Sequence, residues 1–342
     1  MKNKQNLKGL TLPQLEEFFL KIGEKRFRAE QVFLWIYNKK AKSFDEMTNL
    51  SKATREKLKE LAYIENLEIA QVQVDSESNT HKFLFQLIDG KKIESVLLFG
   101  NKRKTVCISS QVGCAVDCGF CATAQMGLFR NLTVSEIIDQ LLTIERDFEV
   151  KVTNIVFMGM GEPFHNYENV IESAKLMSDE KVTGISQRKI TISTSGVLPK
   201  IRRFTDENHN FKLAISLNAT DNETRTKLMP LNAKWPIEAL LEESKFYSEK
   251  NRNKITLEYV LLEGINDSIE DAKRFSKWCA EYNCKANVIP YNPTNSDYKR
   301  PSKEKIERFM AALGDKYASV TLRDTGGKGI KAACGQLAVE QD

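Results

Sequence analysis

Residues 105–127 read TVCISSQVGCAVDCGFCATAQMG. A β-prone run, TVCISS, gives way to a loop carrying Cys114, Cys118 and Cys121 in Cys-x3-Cys-x2-Cys spacing. A four-iron, four-sulfur cluster normally takes four thiolates, and this loop offers three. A cluster held this way leaves one iron open to bind a small molecule and pass an electron straight into it. The loop therefore points to chemistry at the cluster rather than to electron relay. Structural zinc wants four tetrahedral ligands, usually in two pairs. No second Cys-x2-Cys or His-x3-His pair follows within 50 residues, and His81, His165 and His209 are scattered. A disulfide framework does not suit a 342-residue chain with seven cysteines.

Downstream of the loop, strand and helix patterns alternate. TVCISS, NIVFMGM, KITISTS, KLAISLN, TLEYVLL, ANVIPYN and SVTLRD read as strands, and most are separated by helical stretches such as TVSEIIDQLLTIERDF and SIEDAKRFSKWCAEY. This alternation predicts parallel βα units in an α/β fold, and six such units fit a partial (βα)6 barrel. The distinctive polar and glycine residues cluster at the C-terminal ends of these strands, the face that carries active sites in parallel βα barrels. They are the cysteine loop, Gly159 to Pro163, Ser193 to Gly196, Ser216 to Asn218, and Asn292-Pro293. Glycines such as Gly161 let backbone approach a ligand closely, and Glu162 can accept hydrogen bonds from a cationic amine. Ser193, Ser216-Leu217-Asn218 and Asn292 suit hydrogen bonding to a ribose and an adenine; strand-end capping is the plainer reading of each.

Upstream, residues 12–62 read as three helices: LPQLEEFFLKIG with Leu15, Phe18, Phe19 and Ile22 at helical spacing, RAEQVFLWIYNKK, and SKATREKLKELA capped by Ser51. Phe33 and Trp35 could stack on bases, although helical aromatics usually belong to a core. Residues 63–99 alternate with period two, with a hairpin turn at Asp89-Gly90. The expected organisation is a helical domain over 1–62, a β-rich connector over 63–99, a barrel over 100–333 and a tail over 334–342. Residues 1–62 hold 14 basic and 8 acidic residues, whereas the remainder holds 37 and 38. A basic small domain on a neutral catalytic one fits a polyanionic partner. No apolar run is long enough to span a membrane, and MKNKQNLKGLTLPQ lacks the apolar core of a secretory signal. With reduced thiols, these features lead us to expect a cytoplasmic protein. Cys279 and Cys284 read as buried apolar cysteines.

Cys-x3-Cys-x-aromatic-Cys, with Phe120 before the third cysteine, resembles the signature of the radical S-adenosylmethionine (SAM) superfamily. The resemblance implies one [4Fe–4S] cluster on Cys114, Cys118 and Cys121, SAM chelated at the open iron, and a 5′-deoxyadenosyl radical. It also implies that the segment with Gly161 and Glu162 binds the amino group of SAM, and that Ser193, Ser216, Leu217, Asn218 and Asn292 contact the rest of it. SSQVGC, FCATAQMG and AACGQL around Cys334 are similar more narrowly to the RlmN/Cfr group of RNA adenine methyltransferases, a likeness that extends to KRFRAEQVFLWIY. SQVGC and TAQ favour the RlmN branch. This resemblance implies carbon-2 methylation of adenine 2503 in 23S ribosomal RNA, with adenine 37 of transfer RNA as a further substrate. Two SAM molecules are used per turnover. Cys334 carries the methyl group, Cys107 resolves a covalent RNA adduct by forming a disulfide, and Glu94 is the general base; from bare sequence Glu94 reads as a solvated strand residue. An external low-potential electron donor and a monomeric enzyme complete the expectation. Other readings are a Cfr-like carbon-8 methyltransferase and a non-catalytic RNA-binding iron–sulfur protein. Two departures stand out. Ser-Leu-Asn replaces the usual Ser-Leu-His, and Gly326 and Gly329 lie where charged residues are usual, which predicts a more mobile Cys334 segment.

Overall fold

The protein is described here from a computed structural model, which covers residues 4–251, 253–314, 319–323, 326–339 and 341. At the N-terminus, β1 (Gln5–Asn6) is followed by α1 (Leu12–Lys21), α2 (Arg26–Tyr37) and α3 (Lys52–Leu61), and β2 (Ala62–Tyr63) returns to pair in parallel with β1. A capping box between Thr11 and Gln14 starts α1, and the Ser51 hydroxyl caps α3 by accepting from Thr54 N–H at 3.1 Å. Leu15 and Phe19 of α1 and Val32, Phe33, Ile36 and Tyr37 of α2 are fully buried. Phe33 packs on Tyr37 with ring centroids 4.6 Å apart, so it presents no face to a base. Trp35 is half-buried and donates Nε1–H to Asn49 at 2.6 Å.

The helical unit is tied to the rest of the protein by a buried ion pair. Lys8 Nζ lies 2.6 Å from Asp139 Oδ1, and Asp139 Oδ2 also accepts from Leu67 N–H at 2.7 Å. Burial pulls the Lys8 ammonium below its ordinary range while Asp139 opposes that shift. Removing one partner of a buried pair leaves an uncompensated charge and costs about 3–5 kcal/mol. Lys8→Met is therefore expected to lower unfolding stability by about 3 kcal/mol, read as a lower denaturation midpoint; an unchanged midpoint would mean the pair contributes nothing.

Beyond the helical unit, one ten-stranded sheet runs through the chain. Its antiparallel part is β3 (Glu68–Asp75), β4 (Thr80–Gln86) and β5 (Lys92–Phe99). β6 (Lys104–Cys107) leads into β7 (Gln111–Gly113), α4 (Ala122–Gln125) and β8 (Leu128–Asn131), where β7 and β8 pair as a small ribbon around the cysteine loop. Then follow α5 (Val134–Asp147), β9 (Asn154–Phe157), α6 (Tyr167–Ser178), β10 (Ile190–Thr194), α7 (Leu198–Asp206), β11 (Lys212–Ser216), α8 (Asn222–Leu228), α9 (Ile237–Asn251), β12 (Thr256–Leu261), α10 (Ile269–Glu281), β13 (Lys285–Pro290), α11 (Lys303–Leu313) and β14 (Val320–Leu322). The strand order is β14-β13-β12-β11-β10-β9-β6-β5-β4-β3, and every neighbouring pair from β6 to β14 is parallel.

The seven strands read from the sequence are the seven of the parallel part; one expectation changes. The 63–99 segment is no separate connector, because β5 pairs antiparallel with β6, Val96 opposite Cys107, and extends the barrel sheet. The hairpin at Asp89-Gly90, with Gly90 at φ +82°, folds β4 and β5 onto the otherwise open edge of β6. That places Glu94 beside the strand that ends in Cys107. Cys279 and Cys284 are buried in the core. No helix among the described residues is long and apolar enough to cross a membrane.

Candidate active site

The C-terminal ends of the parallel strands surround a cavity of about 940 Å³, part of it open to solvent. Its wall includes Cys114, Cys118, Cys121, Gly161, Glu162, Ser193, Ser216, Asn218, Asn292 and Cys334. Residues up to 220 positions apart thus share one pocket.

Each wall residue is held by specific bonds. Gly161 has φ +103°, and a Cβ there would come within 2.6 Å of Gln111. The glycine therefore serves close packing of two strand-end loops as well as access to the cavity. Glu162 is buried; Oε1 accepts from Phe164 N–H at 2.9 Å and Oε2 from Ser195 N–H at 2.7 Å. A carboxylate so fixed keeps free lone pairs for a further donor. Ser193 donates to Glu258 Oε2 at 2.7 Å, and Asn287 Nδ2 donates to Oε1 at 3.1 Å.

Asn218 adopts φ +59°, a left-handed conformation that asparagine tolerates well. Its Oδ1 accepts from Val260 N–H at 2.8 Å and its Nδ2 approaches Met229 Sδ at 3.2 Å. The side chain that replaces the usual histidine is thus spent on bracing β12. Leu217 differs from the expectation. Its side chain is fully buried and lies outside the cavity wall, its N–H donates to Glu258 O at 2.9 Å, and its carbonyl accepts from Arg225 Nε at 2.9 Å. No group of Leu217 is left for a ligand.

The C-terminal tail lies across the mouth. Asn292 Nδ2 donates to Cys334 O at 3.3 Å, Ala122 N–H to Gly335 O at 2.8 Å, and Thr123 Oγ1 to Leu337 O at 2.6 Å. Ala338 N–H reaches Glu94 Oε2 at 3.1 Å. Before the tail, Gly327 N–H donates to Asp75 Oδ2 at 2.9 Å, and a Cβ on Gly326 would sit 2.5 Å from Ser78 Cβ. Gly326 therefore permits tight packing on the β3–β4 turn. Asp324 and Thr325, between these glycines and β14, lie outside the described residues.

Glu94 is buried, not solvated, and pairs with Lys82 Nζ at 2.9 Å. Burial raises its pKa, and the Lys82 ammonium opposes the rise. Glu94 lies outside the cavity wall and meets the site through the tail. Cys107 is buried just behind the wall. Its thiol is pushed up to about 12, by burial first and by the nearby Cys334 sulfur second, against the pull of Arg323. Burial raises Cys334 as well, and Arg323 again opposes. The two sulfurs thus share one guanidinium, which also contacts Met158 Sδ at 3.3 Å, and Cys334 feels the Cys121 sulfur as well.

Three contributors were not singled out from sequence: Glu258, Arg323 and Arg225. Glu258 left a signal, as the lone charge inside the apolar run TLEYVLL. Arg323 closes the last strand, a position of the same kind as the other site residues.

Comparison with known proteins places this geometry. Residues 5–64 match the ribosomal RNA large subunit methyltransferase N-terminal domain, and residues 108–276 match the radical SAM superfamily. The dual-specificity RNA methyltransferase RlmN of Pelobacter propionicus is 46% identical over 338 residues, 98% of this chain and 96% of its own. The chain belongs to the RlmN family. RlmN of Geobacter sulfurreducens is 44% identical over 333 residues, 97% of this chain and 91% of its own. A radical SAM methyltransferase from Sphaerobacter thermophilus superposes with a TM-score of 0.93 at 41% identity, covering 97% of this chain and 99% of that one. As a member of the RlmN family, the protein is a radical SAM methyltransferase, and its family implies a [4Fe–4S] cluster and SAM.

The residues fit those groups. Three thiols from one loop line one cavity, and a four-iron cluster takes separate thiolates on separate irons. Burial pushes Cys114 up to about 12 and Cys118 well above its ordinary value, so metal binding would displace their protons. Glu162, Ser193, Ser195 and Ser216 line the same cavity as the three thiols and offer polar groups to an amino acid and a nucleoside.

Proposed function

We propose that the enzyme methylates carbon-2 of adenine 2503 in 23S ribosomal RNA and of adenine 37 in transfer RNA, through a methyl group carried on Cys334. The observation that carries this reading is Cys334 itself: it lies in the wall of the cavity that holds the three cluster thiols, electrostatically coupled to Cys107. When bound, the cluster and SAM supply a methyl group and a 5′-deoxyadenosyl radical. The chain's part is to hold the carrier, move one proton and release the product. The Cys334 thiol loses its proton and takes the methyl. Asn292 and Ala122 fix the backbone just after its Cα, at the carbonyls of Cys334 and Gly335, which keeps the S-methyl group at the cavity. Loss of one hydrogen from the S-methyl group to the 5′-deoxyadenosyl radical lets its carbon bond to carbon-2; the adduct then gives up one electron, which the bound cluster would take back, and one proton, which Glu94 takes. Cys107 then attacks the Cys334 sulfur as a thiolate; the S–S bond forms, the S–CH2 bond breaks, and its electron pair stays with carbon that gains a proton as the new methyl. Arg323 favours both thiolates in this exchange. An external thiol reductant resets the pair and a low-potential donor feeds the cluster; the enzyme works as a cytoplasmic monomer. The basic N-terminal unit, tied down through Lys8, offers the polyanion a docking surface.

Mass spectrometry of an rRNA fragment after anaerobic incubation with the reconstituted enzyme and SAM tests this reading. It predicts 2-methyladenine; 8-methyladenine alone would favour the Cfr-like reading instead. Glu94 gives a further expectation. Glu94→Gln should lower turnover by about 10²- to 10⁴-fold. A base acts in its ionised form, so activity should fall as pH drops through the raised Glu94 pKa. Lys82→Met removes the cation that holds that pKa down and should move this acid limb to higher pH. A limb that stays in place would remove Glu94 from the role.

A further inference from the structure

Arg225, on α8, is fully buried yet pairs with no carboxylate among the described residues. Nε donates to Leu217 O at 2.9 Å, Nη1 to Asn232 Oδ1 at 2.9 Å, and Nη2 to Ser195 O at 2.8 Å and Ser216 O at 3.1 Å. All four acceptors are neutral. A guanidinium stays protonated in proteins, and a buried charge normally requires a compensating one. The guanidinium lies outside the cavity wall, so it does not reach the ligand that fills the pocket. What it does approach is the cysteine loop. The helix carrying Arg225 ends at Leu228, whose carbonyl accepts from Gly119 N–H at 3.0 Å, the residue after Cys118. Attraction to the Cys118 sulfur is the one charge interaction resolved for Arg225.

We propose that the counter-ion of Arg225 is the iron–sulfur cluster itself, and that this fixed cation raises the cluster's reduction potential. The inference rests on Cys114, Cys118 and Cys121 holding that cluster. Adding one electron makes the cluster more negative by one unit. A permanent positive charge nearby in a low-dielectric interior stabilises the reduced form more than the oxidised form. Arg225 is a positioning residue as well, since its fork gathers the ends of β10 and β11 beside Ser193, Ser216 and Asn218. The two roles separate experimentally, because only the charge acts on the potential.

Asn232 offers a second handle. Asn232→Asp keeps an acceptor for Nη1 and supplies the carboxylate that Arg225 lacks, while giving up the Nδ2 donations to Asn222 O, Asn222 Oδ1 and Thr226 Oγ1, so its fold and cluster content are checked alongside. The full-length protein is reconstituted anaerobically without SAM and titrated with dithionite and mediators, and the reduced cluster is read by electron paramagnetic resonance. At fixed poise, Asn232→Asp and Arg225→Gln should each lower the ratio of reduced to oxidised cluster about tenfold, about 59 mV for this one-electron couple. Arg225→Lys keeps the charge and should stay near wild type. A folded, cluster-loaded Asn232→Asp protein with the wild-type ratio would overturn the inference, as would a drop in Arg225→Lys equal to that in Arg225→Gln. If Arg225→Gln does not fold, Asn232→Asp decides alone. Wild-type protein that takes up no cluster would instead overturn the site reading on which the inference rests.

Discussion

Cys334→Ala should leave no methylated adenine above background while the protein still folds and binds its cluster. Adenine carbon-2 is electron-poor and does not attack the methyl group of a sulfonium, so a route without a protein-bound carrier has no first step. The substitution removes one sulfur from a segment whose backbone bonds do not depend on it: Asn292 to Cys334 O, Ala122 to Gly335 O and Thr123 to Leu337 O all persist. The three cluster thiols are separate residues on another loop. Loss of product with unchanged iron content and melting behaviour would therefore report chemistry rather than folding. Product at even a few per cent of the wild-type level would place the carrier elsewhere.

Cys107→Ala should have a different signature, an RNA–protein adduct that survives denaturation and accumulates to about one per enzyme. The first methyl transfer and the attack on RNA need only Cys334 and Glu94. Release needs a second sulfur, and Cys107 is a buried thiol outside the cluster loop that feels the Cys334 sulfur. Alanine at this buried strand end leaves a small void, worth about 1 kcal/mol, so the enzyme should persist at assay temperature. A denaturing gel band that shifts on ribonuclease digestion reads the adduct. Normal turnover without adduct would remove Cys107 from the mechanism.

How far the sequence alone carried these conclusions depended on where each signal lay. The cysteine loop, Glu162, Ser193, Ser216, Asn218 and Asn292 were legible because strand-end polar residues in a βα repeat converge on one face, whereas Cys334 was legible only through the resemblance of AACGQL; the structure brings all of them to one cavity. The parallel strands were legible for the same reason. Their joining to β3–β5 was not, because strand pairing across a sheet edge leaves no local mark; it follows from the β5–β6 register. Leu217 was read as part of a motif, but period two turns it into the core between Ser216 and Asn218. Arg225 was illegible. The stretch NETRTK before Leu228 is polar throughout and carries no mark of burial, and the meeting of β10, β11 and the 229–233 turn buries its guanidinium. Gly326 shows that glycine marks close approach as readily as freedom.

Isotope transfer tests the central claim most directly. Enzyme is first loaded with a trideuterated methyl group on Cys334, freed of SAM, and then given unlabelled SAM and RNA for a single turnover under reducing, anaerobic conditions. If the methyl carbon on Cys334 is the one that reaches adenine, the new methyl retains two of the three deuterium atoms, the third having been abstracted by the 5′-deoxyadenosyl radical. An RNA methyl group free of deuterium, with the label still on Cys334, would contradict the account.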